Sequence, residues 1–469
     1  MIVRTAYITA IALMLWMLSG CATRFSDSGA PRAPANMTTG AAPSAGGATG
    51  SSGSTGGSAP ATKASGPAPR ILPTLRSEPL LRVLLVQNTQ VSFTLLTSAT
   101  LPNGNRLAAG THLAQAVGAT LVIDGAAVPA ECPLVMALAT RRFSTLMDPP
   151  VGRAQTLEFS GQPVVRLAGN KVQLLEEILL ETYLAGVLPT EMNPSWPVQA
   201  LAAQAIAARS YAAAKYLERF DKPWQLHWHY TVDMAYGGAS VKSTAALREA
   251  LKQTRGQMLT YRGLPVPALF NACSGGTTEA ATNVFSTLRG GDRSTPMASQ
   301  MPSVLDADAE AGCQGLGMMK THWRWKANIP LSDITQDLQA WARQNPQDSL
   351  EFGTVTNIEP LGRFGDSGRV AQVSVSSKIA GRTKRTVMPA QDFRMAISPL
   401  DIRSTWWDRC LVVAGSTSSK GMVLVLAGRG FGHGVGLSQV SAWQMATKGL
   451  EATSIVKHFY PQAVLERRW

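Results

Sequence analysis

Residues 174–220 read LLEEILLETYLAGVLPTEMNPSWPVQALAAQAIAARSYAAAKYLERF, and their reading decides the fold. Near Leu174 a strand-like pattern gives way to a helical one. Ser195-Trp196-Pro197-Val198 then opens a long helix, expected to reach about Phe220. Serine supplies a side-chain acceptor for a free first-turn amide, and proline in the first turn loses no hydrogen bond. Ala202, Ala205, Ala208 and Ala212 recur at helical spacing, so another element can approach that face closely. This alanine-rich helix is expected to be central and mostly buried. Upstream, from Leu80 to about Leu180, runs such as Leu81–Val86 and Val91–Leu96 read as strands, with hairpin turns at Asn103-Gly104 and Asp124-Gly125. Downstream, helices are expected at Thr244–Thr254, Ile334–Ala342 and from Ser438 to about Thr447. Strands are expected at Val266–Cys273, Val355–Ile358, Val370–Val375, Arg385–Met388 and Met422–Ala427. Without a regular βαβ alternation the class is α+β. The arrangement is a single large mixed domain, or two lobes, over residues 77–469.

The first residues speak of export. Arg4 precedes an apolar run from Ala6 to Leu18, too short for a comfortable membrane span, and then comes Leu18-Ser19-Gly20-Cys21. A basic end, a short apolar core and small residues make a signal peptide, residues 1–20. The approach to Cys21 resembles a bacterial lipobox, which implies acylation of the Cys21 thiol. Ala22 after it implies sorting to the periplasmic face of the outer membrane in a diderm cell. Residues 21–76 are rich in Gly, Ser, Ala, Thr and Pro and cannot bury enough surface to offset their ordering entropy, so they read as a flexible linker.

The chain has 43 Lys and Arg against 30 Asp and Glu, a formal charge of +13, without a basic block. No nucleic-acid motif is evident. The acidic partners open to an exported chain are wall polymers and lipid head groups. Four cysteines follow Cys21: Cys132, Cys273, Cys313 and Cys410. They form no CxxC pair, and their three possible pairings stay open.

Four segments could carry chemistry. In Pro189-Thr190-Glu191-Met192, apolar neighbours crowd a carboxyl and would raise its pKa, as a general acid requires. Glu191 is expected just before a helix start, whose positive end works the other way. Arg209, inside an alanine-rich stretch, needs a carboxylate or a substrate anion; a structural ion pair is the alternative. Asp233-Met-Ala-Tyr236-Gly-Gly, Cys273-Ser274-Gly275-Gly276-Thr-Thr-Glu279 and the glycine-rich run Gly428–Gln439, with His433 and Ser438, are the others. None is a Walker loop or a dinucleotide fingerprint. A Ser274–His433 dyad and a His227–His229 metal clip are weaker readings of the same stretches.

Taken together, these segments resemble the SpoIID/LytB family of wall proteins. The matching pieces are Tyr183-Leu-x-Gly-Val-x-Pro-x-Glu191-Met, Ala-Ala-Arg209-Ser-Tyr211 and Tyr236-Gly-Gly. They continue with Gly256-x-x-Leu-x-Tyr261-x-Gly263, Cys273-Ser-Gly-Gly-x-Thr-Glu279 and Gly430-Phe-Gly-His-Gly-Val-Gly-Leu-Ser-Gln439. Ser367-Gly-Arg-Val370, Phe393-Arg394 and His458-Phe-Tyr-Pro461 also fit. The chain departs from the family at Phe431, usually Trp, and at Gln439-Val-Ser-Ala, often Gln-Tyr-Gly-Ala. The resemblance implies a lytic transglycosylase acting on peptide-stripped glycan strands, with Glu191 as the acid. Arg209, Tyr211, Tyr236, Ser274, Gly275, Gly276, His433, Ser438 and Gln439 would line the substrate site. The implied alternatives are a muramidase, with Asp233 or Glu279 as second carboxylate, and a glycan-binding module that stimulates an N-acetylmuramoyl-L-alanine amidase. Some members bind zinc near the segment matching Cys273, but His and Cys do not cluster in this sequence, so neither a metal nor another cofactor is expected.

Overall fold

The computed structural model describes residues 75–148, 154–285, 301–415 and 421–469. The expected signal peptide, Cys21 and the expected linker up to residue 74 lie outside the described residues. The amino-terminal part is built from strands, as expected. One sheet has the order Leu226–His227, Leu80–Asn88, Lys171–Leu179, Gln162–Ala168, Glu131–Pro133. A second runs Gln155–Phe159, Phe143–Met147, Gln90–Leu95, Gly110–Val117, Thr120–Ile123, Ala126–Val128. In Gln90–Leu95 the buried residues are Val91, Phe93 and Leu95, the alternation of a sheet with one wet face. Asp124 and Gly125 both have positive φ and join Ile123 to Ala126, the two-residue hairpin their sequence calls for. Lys171–Leu179 is different. It pairs with a strand on each side, and Val172 through Glu176 are all buried. A carboxyl, Glu176, is thereby carried into the interior.

Helix α1 (Leu180–Glu191) follows this strand directly, and α2 (Val198–Glu218) follows α1. Ser195 does not cap α2. The capping position falls on Pro197, and the Ser195 amide turns to Asn193 Oδ1 at 2.9 Å. The residue before a proline is pushed out of helical conformation, so Trp196 cannot join the helix and α2 begins after Pro197. From Ala200 to Ala213 every residue of α2 is buried, as for a helix packed on all sides. Helix α3 (Ala245–Gln253) is capped by Thr244 Oγ1, which accepts from the Leu247 amide at 3.2 Å.

Beyond α3 the strand Gln257–Tyr261 pairs with Val464–Arg467 near the carboxyl terminus. The strand expected over Val266–Cys273 shrinks to Phe270–Asn271, beside Leu437–Ser438. Pro267 has no donor, the Val266 amide bonds the Leu259 carbonyl in Gln257–Tyr261, and the Ala268 amide turns back to the Val266 carbonyl. Short helices α4 (Ala281–Val284) and α5 (Ala309–Gly315) follow.

The two-lobe arrangement is the one realised. Arg324–Pro330, Met422–Arg429 and Trp407–Ala414 form one sheet, and Thr354–Arg363, Val370–Ile379 and Arg382–Pro389 a meander. Helices α6 (Leu331–Gln344) and α7 (Ala390–Ile397) accompany them. Ile334, Leu338, Val373, Phe393, Trp407 and Leu424 belong to a core separate from that of the first lobe. The chain then returns to the first lobe through Gly430–Gly436, α8 (Gln439–Thr447) and α9 (Ala452–Phe459).

Candidate active site

Glu191 is the last residue of α1 and is 0% exposed. Its Oε1 accepts the Ala235 amide at 2.8 Å, and its Oε2 is buried with no hydrogen-bond partner. Burial pushes the carboxyl up to about 8, with the Ala235 amide pulling weakly the other way. The sequence placed this residue ahead of a helix start. The structure corrects that: Glu191 stands at a helix's carboxyl end, whose partial negative charge adds to burial and favours the proton. The acid is therefore kept neutral at neutral pH.

The segment that bears Ala235 is fastened at several points. Thr190 Oγ1 donates toward the Ala235 carbonyl at 2.7 Å, and the Gly237 amide donates to the Gly186 carbonyl at 3.0 Å. A side chain at position 186 would come within 2.5 Å of the Tyr236 ring, so glycine there admits the ring. Tyr236 turns inward. Its hydroxyl donates to Glu176 Oε2 at 2.8 Å, and its ring lies 4.7 Å from that of Tyr183. Glu176 Oε1 takes the Gly161 and Ser160 amides at 2.6 and 3.1 Å. Burial raises Glu176 to about 7 against these donors. Asp233 accepts from the Tyr211 hydroxyl at 2.8 Å, from Arg219 at 3.0 Å and from the His227 amide at 2.8 Å. Tyr211 and Tyr236, expected to meet substrate, instead hold the loop that holds the acid.

Arg209 requires a correction too. It is 0% exposed, and its Nε and Nη2 donate to the two oxygens of Glu181 at 2.9 and 2.8 Å. Nη1 reaches the Gln257 carbonyl at 3.0 Å. Glu181 also accepts from the Gly256 amide and from Trp469 Nε1, both at 3.0 Å. Burial alone would raise the Glu181 carboxyl, yet Arg209 and these donors hold it below its ordinary value. The substrate anion gives way to the alternative reading, a structural ion pair.

The remaining candidates form a second cluster. Alternate residues of the run Gly430, Gly432, Gly434, Gly436 have positive φ, and a side chain at Gly436 would meet the Leu269 carbonyl at 1.9 Å. These glycines let the loop lie on Leu269–Gly275. Three of its amides are bonded within the protein: Phe431 to the Cys273 carbonyl, Gly432 to the Arg403 carbonyl and Val435 to His433 Nδ1. Ser274 is buried, and its Oγ donates to Asp306 Oδ2 at 2.5 Å rather than to His433. A Ser–His dyad is not assembled. Gly275 and Gly276 have positive φ, and the Gly276 amide donates to Ser274 Oγ at 3.1 Å. Ser438 Oγ sits 2.7 Å from Ser441 Oγ and receives the Ser274 amide at 3.3 Å. Gln439 is buried with both side-chain polar atoms unpartnered. His433 is pushed down to about 3 by burial and by the charges of Arg394 and Arg369, against the Phe270 carbonyl. Arg394 also acts on Tyr230, in the loop that leads to Ala235.

His227 and His229 do not form a metal clip. The His229 amide donates to His227 Nδ1 at 3.0 Å, His229 Nδ1 sits 2.8 Å from Thr231 Oγ1, and burial lowers both rings to about 4. The functional groups that sequence reasoning missed are Glu176, the Ala235 amide and Asp306. Glu176 carried one signal, an acid inside an unbroken apolar strand. A backbone amide carries none.

The fold is thus a mixed α+β one with a buried glutamate of raised pKa at a helix end. Residues 168–261, which contain that glutamate, match the family model described as stage II sporulation protein, SpoIID. Residues 288–436 match a domain of unknown function. The amidase enhancer of Bacillus subtilis (strain 168) is 27% identical over 311 residues, 60% of this chain and 40% of that protein. Stage II sporulation protein D of Bacillus amyloliquefaciens is 26% identical over 316 residues, 64% of this chain and 76% of the relative. The B. subtilis protein of that name is 25% identical over 328 residues, 66% and 80%. Through residues 168–261 and these relatives, the chain is similar to proteins of the SpoIID/LytB family.

Proposed function

We propose that this protein is an exported, lipid-anchored lytic transglycosylase that cleaves the MurNAc–GlcNAc bonds of peptide-stripped glycan strands. The observation that carries the reading is Glu191: a protonated carboxyl, raised to about 8, with one oxygen left without a partner. Glu191 gives its proton to the leaving glycosidic oxygen as the C1–O bond breaks. The sugar's C6 hydroxyl attacks C1, and its proton returns to Glu191. The product is a 1,6-anhydro end, and no water enters. A hydrolase ordinarily needs a second carboxylate to activate water or attack C1. The muramidase candidates are engaged elsewhere: Asp233 by Tyr211, Arg219 and His227, and Glu279 by Ser367, Asn283 and the Ala280 amide. That favours the intramolecular nucleophile. Oε2 is shielded from solvent, so the reading requires the Ala235 segment to draw back, or the carboxyl to turn, when a strand binds.

Anchorage through Cys21 at the periplasmic face of the outer membrane, with residues 21–76 as tether, belongs to the same proposal. About 50 flexible residues have a mean reach of roughly 40 Å. A second reading is a glycan-binding module that stimulates an amidase. It is favoured by the amidase-enhancer relative, of which this chain spans only 40%. Mass spectrometry of products decides. The full chain and its Glu191→Gln variant are incubated with peptide-free glycan strands. Anhydro-MurNAc ends from wild type alone are expected. Reducing ends would replace this reading with a muramidase, and binding without cleavage would replace it with the stimulating module. Activity of Glu191→Gln equal to wild type would remove the acid assignment.

A further inference from the structure

The cysteines that follow Cys21 are not alike in the fold. Cys132 is buried in the strand Glu131–Pro133, and Cys410 lies in the second lobe with its sulfur toward the Ile358 carbonyl. Cys273 and Cys313, 40 positions apart, are both 0% exposed and their Sγ atoms lie 3.5 Å from each other.

Their meeting is enforced from both sides. Cys273 is fixed by a two-bond bridge with Phe431, its amide to the Phe431 carbonyl at 3.0 Å and its carbonyl from the Phe431 amide at 2.9 Å. Cys313 rides on α5, which presses onto α8: a side chain at Gly312 would come within 2.3 Å of the Val440 carbonyl, and one at Gly315 within 2.6 Å of the Trp443 ring. Three residues ahead of α5, Asp306 Oδ2 accepts from Ser274 Oγ and from Ser441 Oγ, and the Asp306 amide donates to the Gly276 carbonyl at 2.9 Å. The segment Asp306–Gly315 therefore meets the Cys273–Gly276 loop at two places, Asp306 and Cys313. Among the described residues no three His, Cys, Asp or Glu side chains converge to hold a metal. Among those residues the thiol pair thus lacks the further ligands that a structural zinc site takes.

We infer that Cys273 and Cys313 form a disulfide in the mature protein, pinning α5, and the chain leading into the second lobe, to the Cys273–Gly276 loop. Its relevance in the cell rests on the export proposed above, because reducing compartments keep thiols reduced. Bonded sulfurs lie about 2 Å apart, so closure moves them by roughly 1.5 Å from the observed contact. Each thiol loses a proton, and the pair gives two electrons to an incoming disulfide, that of oxidised glutathione or of a protein oxidoreductase, which leaves as two thiols. Exchange runs through an exposed thiolate. With both sulfurs fully buried, it takes place before α5 docks.

The test supplies its own oxidant and so does not depend on export. The full chain is unfolded, refolded in a mixture of reduced and oxidised glutathione, alkylated, digested without reduction and mapped by mass spectrometry. A Cys273–Cys313-linked peptide is expected, with Cys132 and Cys410 alkylated. Alkylated Cys273 and Cys313, or a link from either to Cys132 or Cys410, overturns the inference. As a second readout, the urea midpoint of the refolded wild type drops when reductant is present, while that of a Cys273→Ala/Cys313→Ala double variant does not move. Equal responses of the two proteins would also overturn it. A link that forms in the test tube, in a protein found to stay in the cytoplasm, would sink the export reading and leave the geometry of the pair intact.

Discussion

Glu181 and Glu191 stand at opposite ends of one helix and are held in opposite states. Glu181 lies in the first turn of α1, paired with Arg209 through both oxygens and bonded to the Gly256 amide and Trp469. It is charged, and its pKa is lowered. Glu191 closes the last turn with one amide on one oxygen and is raised to about 8. The helix dipole favours the anion at the first site and the proton at the second. Burial pushes both upward, so the difference comes from partners. A carboxylate with a guanidinium and further donors stays ionised indoors, and one with a lone amide takes a proton instead. The first arrangement stabilises the fold, and the second costs stability.

The sharpest way to break this comparison is Glu191→Gln, which imitates the protonated acid but cannot deliver the proton. Cleavage of glycan strands should fall by on the order of 10²–10⁴-fold. Stability should move the other way. The folded pKa of Glu191 is raised above its ordinary value of 4.5, so its contribution is full below about 4.5 and declines as pH rises through about 8. At pH 7 the folded state must hold a proton that the unfolded chain releases, and the variant escapes a penalty of up to about 3 kcal/mol. Urea unfolding of both proteins at pH 5 and pH 7 measures this. The variant should be the more stable at pH 7, by a margin that shrinks at pH 5. A variant less stable at pH 7 would mean that Glu191 is ionised in the fold. Wild-type activity should persist through neutral pH and fall above about 8, as the acid loses its proton.

Arg209→Met tests the other end. It leaves Glu181 buried and unpaired, and breaking such a pair costs about 3–5 kcal/mol. A double change, Glu181→Leu with Arg209→Met, should recover part of that loss, because no orphaned charge remains. If Arg209 bound the substrate, its removal would raise KM and spare the urea midpoint.

Much of this contrast was legible in the sequence, and the reasons for the rest are specific. The Ala-rich pattern gave α2 its place because periodicity reports burial. The Asp124-Gly125 hairpin was readable because two positive-φ residues in a row require such a pair. The start of α2 was misplaced because Pro197 governs Trp196 more strongly than Ser195 can cap. The crowding of Glu191 by apolar neighbours was legible while its helix end was misjudged, since the helix boundary there depends on where the strand Lys171–Leu179 stops. The partner of Arg209 lies 28 positions away, and those of Tyr236 and Glu191 60 and 44 away. Spacing along the chain does not report such contacts. They follow from which strands pair and which helices pack.

The smallest expected effect separates a positioning role from a binding one. Tyr236→Phe keeps the ring against Gly186 and Tyr183 and removes only the donor to Glu176 Oε2. Glu176 would keep the Gly161 and Ser160 amides and lose a donor that favours its ionised form, so its pKa should climb above the present value of about 7. Leaving a buried acceptor without its partner should cost about 1–3 kcal/mol. The Ala235 amide, one residue away, would be less firmly placed, so turnover should fall by a small factor, about tenfold or less. The pH at which activity is lost should stay near 8, because the burial of Glu191 and its own hydrogen bond are untouched. KM should also stay where it is. A raised KM with unchanged turnover would return Tyr236 to the substrate site that its Tyr-Gly-Gly motif first suggested, and would place Glu176 among the groups a glycan meets.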